Sequence, residues 1–368
     1  MKIILTGGGS GGHLTPLVAV ARKIRENHPE TAFVFVGPKG KMEDDIIGKE
    51  GIPMRTISVG KMRRYFSFRN FADFFRIFWG ILQSMRILLV EMPDAIFSKG
   101  SYASIPVVLV GWLYRIPIMI HESDAVPGMA NEILSKFADR VAITYPEAEK
   151  EFPAAQVVVT GNPLRDDINQ GDAEKAREMF SLKESRKVIF VYGGSQGAKV
   201  INDKVLDLLP TLLKKYQVIH QTGVKNFDDV RHKAGELGIK AGHGGYYALS
   251  FIGEELRDIF AVADLIISRA GATSIAEIAS NGKPAILIPI EKSANDHQRM
   301  NAYAIAKFGG CVVLEENNLG ENMLLSKIDE IMENDQLRQK LSTDIKVFYH
   351  PEAAEKIAQG ILGMIDNK

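Results

Sequence analysis

The stretch GGGSGGHLTP, residues 7–16, decides how this chain is read. Ahead of it stand Ile3, Ile4 and Leu5, an apolar run of strand length. Behind it Leu17, Val18, Ala21 and Ile24 recur at helical spacing. A strand that runs through five glycines in six residues straight into a helix brings bare backbone N–H groups, and the positive end of a helix dipole, to the carboxyl edge of a sheet. Such a place binds something negatively charged or strongly polar. Gly7, Gly9 and Gly12 satisfy G-x-G-x-x-G, but a lone match to the dinucleotide fingerprint is weak, and the residue after it is His13. At the mouth of the loop His13 is the first candidate for chemistry, against the plainer alternative of a helix-start residue making a local hydrogen bond.

Working outward, apolar strands are expected at residues 3–6, 32–36, 54–57, 95–98, 118–120, 141–143 and 157–160, with helical patterns between most of them. Strands alternating with helices imply a parallel, doubly wound sheet that binds ligands at its carboxyl edge. At Gly161-Asn162-Pro163 the pattern pauses in a turn signal, followed by a polar stretch of linker character. The opening then repeats: a strand at residues 187–191, the loop Gly193-Gly194-Ser195-Gln196-Gly197-Ala198, and an amphipathic helix through Leu213. Further strands are expected at 218–221, 265–268 and 285–288, with a break at Arg269-Ala270-Gly271-Ala272 before a helix from Thr273. The fold class is therefore α/β, two doubly wound Rossmann-like domains facing a cleft. The expected divisions are 1–163, 164–345, and a terminal segment 346–368 whose helix packs back on the first domain.

Composition agrees with this and narrows the rest. The 368 residues suit two domains. Lys plus Arg and Asp plus Glu number 45 each, so no global field points to nucleic acid. The single cysteine, Cys311, rules out an internal disulfide or a cysteine metal cluster and fits a reducing cytoplasm. No signal peptide precedes the first strand, since Met1-Lys2 runs directly into Ile3. Residues 101–120 hold one charge, Arg115, but Pro106 and Pro117 interrupt them, so they read as α/β core rather than a membrane span.

Six motifs in series, GGGSGGHLTP (7–16), HESDAVPGMAN (121–131), TGNPLRDDI (160–168), GGSQGA (193–198), SRAGATSIAE (268–277) and DHQRMNA (296–302), resemble the MurG family of bacterial peptidoglycan glycosyltransferases, in glycosyltransferase family 28. The resemblance implies the two-domain fold called GT-B. It also implies inverting transfer of N-acetylglucosamine from UDP-N-acetylglucosamine to the undecaprenyl-pyrophosphoryl-muramoyl-pentapeptide lipid I, giving lipid II, with no cofactor or metal ion. By the same resemblance Glu277 holds the ribose hydroxyls, a task suited to a carboxylate. The Ile252 backbone reads the uracil edge, and Ala272, Thr273 and Ser274 offer helix-start N–H groups to the diphosphate. Arg165, Ser195 and Gln196 are further donor contacts, and His297 and Gln298 face the sugar. Asp124, where members often carry an Asn that touches the acetamido sugar, and Asn131 are further substrate candidates. The first loop, Ser10-Gly11-Gly12, faces one of the two diphosphates.

The reaction needs a base for the attacking muramoyl hydroxyl. His13 is preferred, with a usual pKa near neutrality, and Glu122 is the alternative. A lipid acceptor also requires a membrane surface. Residues 55–90 carry seven basic side chains, Arg55, Lys61, Arg63, Arg64, Arg69, Arg76 and Arg86, against Asp73 alone. Phe71, Phe74, Phe75, Phe78 and Leu82 fall on one helical stripe among them. This segment, ending at Val90, is expected to dock peripherally on anionic lipid at the cytoplasmic face of the cell membrane, the competing reading being that the stripe packs on the sheet. Cell-wall synthesis proteins are expected as further partners. Three other functions compete with this one. A nicotinamide-dependent oxidoreductase lacks an acid after the second strand, where Gly37-Pro38-Lys39 stands. A nucleotide-sugar sensor would not need His13, and a diacylglycerol glycosyltransferase is separated only by the full motif series.

Overall fold

The computed structural model describes residues 1–60, 68–194, 197–291 and 293–367. Readings made on Lys61, Arg63, Arg64, Ser195 and Gln196, and on the side chains of Arg69 and Phe71, lie outside the described residues. Two compact units emerge, one of Met1–Arg165 with His350–Lys368, the other of Asp166–Tyr349.

The N-terminal unit is built on β1 (Lys2–Thr6), β2 (Ala32–Gly37), β3 (Met54–Thr56), β4 (Ala95–Ser98), β5 (Ile118–Glu122), β6 (Arg140–Ile143) and β7 (Val157–Val159). They form one sheet in the order β3-β2-β1-β4-β5-β6-β7, with every pairing parallel. Strands buried on both faces must be apolar throughout, and Ile3, Ile4, Leu5, Phe33, Val34, Phe35 and Val36 meet that demand. One face packs on the helix Gly11–Asn27, through Leu14, Leu17, Ala21 and Ile24, and on the chain-terminal helix Ala353–Asp366, through Ile357, Ala358 and Ile361. The other is covered by the helix Ile105–Leu113 and the buried Leu88 of the helix Phe68–Glu91. The apolar residues 101–120 are thus core helix and strand, and among the described residues no helix is long and apolar enough to cross a membrane.

The C-terminal unit repeats the plan with β8 (Val188–Tyr192), β9 (Gln217–Gln221), β10 (Tyr246–Leu249), β11 (Leu265–Ser268), β12 (Ala285–Leu287) and β13 (Val312–Val313) in the order β10-β9-β8-β11-β12-β13, all parallel. Two of these strands were absent from the sequence reading. β10 follows a glycine-rich turn at Gly242–Gly245 that reads as loop, and β13 spans two residues, drawn into the sheet by pairing with Ile286 and Leu287.

The chain leaves the first unit at residues 165/166 and re-enters it at 349/350, rather than at the expected 163/164 and 345/346. The Gly161 turn is anchored from both sides. Its carbonyl accepts from His121 Nε2 at 3.0 Å, and at φ +87° it packs so closely on His350 that a Cβ would lie 2.3 Å from that residue's own.

Two buried histidines set a pH dependence. Tyr246 and Asn202 hold the His220 ring at Nδ1 and Nε2, each at 3.0 Å, and burial pushes its pKa down to about 3. His121 is lowered in the same direction, by burial first and by the neighbouring Lys99 ammonium second. An unfolded histidine protonates near pH 6.5, so below that pH the unfolded chain binds more protons, and stability present above it is lost as pH falls toward the folded values. The denaturant midpoint is expected to fall between about pH 7 and about pH 5, and His220→Gln should flatten that dependence.

Candidate functional site

In each sheet the strand order reverses once, between β1 and β4 and between β8 and β11. Chains leaving adjacent strands there turn to opposite faces and open a crevice at the carboxyl edge. Both glycine loops sit at these points, the first after β1 and the second after β8.

The first loop folds as it does because of its glycines. Gly8 adopts φ +134° with the Pro38 ring where a Cβ would go, 2.9 Å away, and the Gly9 N–H donates to the buried Glu43 carboxylate at 2.9 Å. Glu43 thus takes one loop amide, and the helix start at Gly11 and Gly12 carries the N–H groups of a first turn. Ser10 precedes that helix in extended conformation. Its hydroxyl does not cap the helix but meets His13 Nδ1 at 2.8 Å. Two predicted site residues are therefore one device, in which a serine fixes the ring of the histidine through Nδ1.

Across the reversal, the residue after β4 is Lys99, which the sequence reading passed over. It is 2 % exposed, and its ammonium donates to Ser123 Oγ at 2.9 Å. Burial lowers its pKa, while the carboxylates of Glu122 and Asp124 favour its charged form. Glu122 ends β5 fully engaged: one carboxylate oxygen accepts from Asp124 N at 2.9 Å, the other from Gly128 N at 3.0 Å and from Asn131 Nδ2 at 2.9 Å. Burial raises its pKa, Asp124 adds to the rise, and Lys99 opposes it. Such a carboxylate clasps the Ser123–Gly128 loop. Asn131 likewise is buried and gives its amide N–H groups to Glu122 and to the His121 carbonyl, at 3.2 Å, which supports the loop. Asp124 rides on the clasped loop, half-buried, and Arg165 is the last residue of this unit.

In the C-terminal unit Gly197 takes φ +75° with the Thr222 carbonyl 2.2 Å from where a Cβ would stand, which seats the second loop against the end of β9. Ala272, Thr273 and Ser274 open the helix Ala272–Ser280 after β11. Glu277 lies one turn further on, buried, and accepts from the Tyr192 hydroxyl at 2.7 Å. Tyr192, the last residue of β8, is the second residue the sequence reading passed over. Ile252 is buried in the loop after β10. His297 and Gln298 begin the helix His297–Ala306 behind two consecutive left-handed residues, Asn295 at φ +53° and Asp296 at φ +56°. Asn and Asp are the non-glycine residues that most readily take this conformation. Gln298 also accepts from Ile290 N at 3.2 Å, tying the loop after β12 to this helix.

The family models for glycosyltransferase family 28 match this chain, the N-terminal domain over residues 3–143 and the C-terminal domain over residues 188–357. The UDP-N-acetylglucosamine--N-acetylmuramyl-(pentapeptide) pyrophosphoryl-undecaprenol N-acetylglucosamine transferase of Clostridium perfringens is 40% identical over 366 residues, 99% of this chain and 97% of that one. A Bacillus cereus protein of the same name, numbered 2, is 38% identical over 362 residues, covering 98% and 99%. The crystal structure of Acinetobacter baumannii MurG superposes with a TM-score of 0.74 at 25% identity, covering 98% and 99%. Two parallel α/β units with a glycine loop at each reversal, taken with these matches, define a glycosyltransferase of the GT-B type. The chain belongs to glycosyltransferase family 28 and, within it, to the MurG group.

If Glu122 is the clasp of its loop, Glu122→Gln should lower stability by about 1–3 kcal/mol, since a glutamine cannot accept from all three donors. Denaturant unfolding measures this, and UDP affinity should be unchanged.

Proposed function

We propose that this chain transfers N-acetylglucosamine from UDP-N-acetylglucosamine to the muramoyl-pentapeptide carried on undecaprenyl pyrophosphate, lipid I, forming lipid II with inversion at the anomeric carbon. The observation that carries this reading is full-length similarity to transferases of that name, at 38% to 40% identity. The muramoyl 4-oxygen attacks the anomeric carbon as the bond from that carbon to the UDP oxygen breaks. The hydroxyl proton passes to the enzyme, and the electron pair leaves with UDP.

His13 is the base. In its favour, Ser10 holds Nδ1, and when Nδ1–H donates to that hydroxyl, Nε2 carries the lone pair that takes the proton. Glu122 is set aside because three protein donors already occupy it. In the C-terminal unit Glu277 receives the ribose hydroxyls and the Ile252 backbone reads uracil. The N–H groups of Ala272, Thr273 and Ser274, with Ser195, Gln196 and Arg165, meet the diphosphate and stabilise the charge it gains on leaving. His297 and Gln298 contact the sugar, and Asp124 contacts its acetamido group or the acceptor.

The lipid acceptor is met on the helix Phe68–Glu91. Phe74, Phe75, Phe78 and Trp79 are 66, 56, 53 and 58% exposed, while Asp73, Gly80, Ser84 and Leu88 line its buried side. An aromatic face with Arg76 and Arg86 on the same helix suits peripheral docking on the anionic cytoplasmic face of the cell membrane.

Labelled UDP-N-acetylglucosamine supplied with a lipid I analogue, and with diacylglycerol in parallel, tests the reaction. Label should move to the first acceptor alone. His13→Ala should lower turnover by about 10²–10⁴ with UDP affinity unchanged, and Glu277→Ala should weaken UDP by roughly 1.5 to 3 kcal/mol in calorimetry. For the membrane, Phe75→Ser, Phe78→Ser and Trp79→Ser combined should release the protein from acidic vesicles in sedimentation. Melting temperature and UDP affinity should stay at the parent's values, because these side chains are exposed.

A further inference from the structure

Tyr192 and Glu277 meet across the reversal of the second sheet. Tyr192 ends β8, Glu277 lies on the helix that follows β11, and these two strands are neighbours. The tyrosine is held at three places. Its ring stacks on Phe190, with centroids 5.3 Å apart at 27°, and meets Phe260 edge-on at 5.6 Å and 80°. Its carbonyl accepts from Ser268 Oγ at 3.0 Å, which ties it to the end of β11. Its hydroxyl donates to Glu277 Oε2 at 2.7 Å, with both residues buried. A ring so packed has little rotational freedom, so the direction of its O–H is set before any ligand arrives.

We infer that Tyr192 is a positioning residue for the donor nucleotide: its hydroxyl fixes the rotamer of the Glu277 carboxylate in the orientation that accepts both ribose hydroxyls. This inference rests on the reading of Glu277 as the ribose-binding residue. An ionised carboxylate has about four acceptor positions. Tyr192 takes one, and two ribose hydroxyls need two more, so the three bonds are compatible. A glutamate without such a restraint would lose side-chain rotamer freedom on binding, which opposes affinity. With the restraint, that ordering is already present in the folded protein. Tyr192 touches no reacting atom, and its effect should appear in donor binding rather than in the chemical step.

Calorimetry with UDP and with 2′-deoxy-UDP on the parent, Tyr192→Phe, Glu277→Ala and the double variant tests this. Phenylalanine keeps the ring contacts and removes only the hydroxyl, and thermal unfolding should confirm an intact fold. Tyr192→Phe is expected to weaken UDP about 3- to 10-fold, as befits one lost hydrogen bond. In the Glu277→Ala background the same change should matter by less than about twofold, because the two residues act as one unit. The penalty should also shrink for 2′-deoxy-UDP, which a general loosening of the fold would not produce. A Tyr192→Phe penalty that is absent, equal in both backgrounds, or equal for both ligands overturns the inference while leaving the ribose reading intact. UDP affinity unchanged in Glu277→Ala overturns the ribose reading, and this inference with it.

Discussion

The His13 loop, Lys99, Tyr192 and the Glu277 helix all depend on one topological constraint, the single reversal of strand order in each parallel sheet. A parallel sheet aligns the carboxyl ends of its strands on one edge, and right-handed crossovers send the connections on either side of the reversal to opposite faces. The edge is left uncovered there. Helix starts then deliver unpaired N–H groups to it, and the glycine loops allow the backbone close approach. In the N-terminal unit the two banks of the reversal are the His13 loop after β1 and Lys99 after β4. In the C-terminal unit they are Tyr192 at the end of β8 and the Glu277 helix after β11. The same geometry, used twice, presents a histidine held by a serine in one unit and a carboxylate held by a tyrosine in the other, because the side chains at corresponding places differ.

The first of these edges is held together by charge at high burial. An ion taken out of water costs several kcal/mol unless it is paired and hydrogen-bonded. Lys99 and Glu122 are both nearly inaccessible, so burial drives each toward its neutral form while their mutual attraction favours the ionised pair. Asp124, half-exposed on the loop they clasp, supports the lysine's charge and opposes that of the glutamate. Removing any one member leaves the others uncompensated, which makes this loop a unit rather than a set of independent contacts. Its stiffness matters because Asp124 is the member left half-exposed.

How much of this could be read in the chain follows from which interactions are local. Strands such as Ala95–Ser98 and Leu265–Ser268 were legible to the residue, because strands buried on both faces must be continuous apolar runs and glycine or proline bounds them. Both glycine loops and the helix starts behind them were equally plain. Lys99 and Tyr192 were not, because neither lies within a glycine motif and the importance of each comes from strand adjacency: β4 beside β1, and β11 beside β8. The surroundings of Glu122 are hidden for a different reason. Its three donors, at residues 124, 128 and 131, are close in sequence, but that the intervening loop curls around the carboxylate is a tertiary fact. The close packing of Gly161 on His350 likewise joins residues far apart along the chain.

The helix Phe68–Glu91 shows why its amphipathic pattern was read in two ways. Its inward side carries Asp73, Gly80 and Ser84 beside Leu88, with Ile81, Met85 and Ile87 partly buried against the same core. Asp73 is held by Arg76 at 3.2 Å, so even the inward acid is paired from the solvent side. The large aromatics face outward instead. Fully burying a side chain such as phenylalanine is worth about 1.5–3 kcal/mol, so a fold that leaves Phe74, Phe75, Phe78 and Trp79 in solvent forgoes several such contributions on one helix. Scattered single exposures need no explanation, but a contiguous aromatic face does. The N-terminal unit carries this face together with His13. On the function proposed above, docking and proton transfer would reside in one folded body and nucleotide binding in the other.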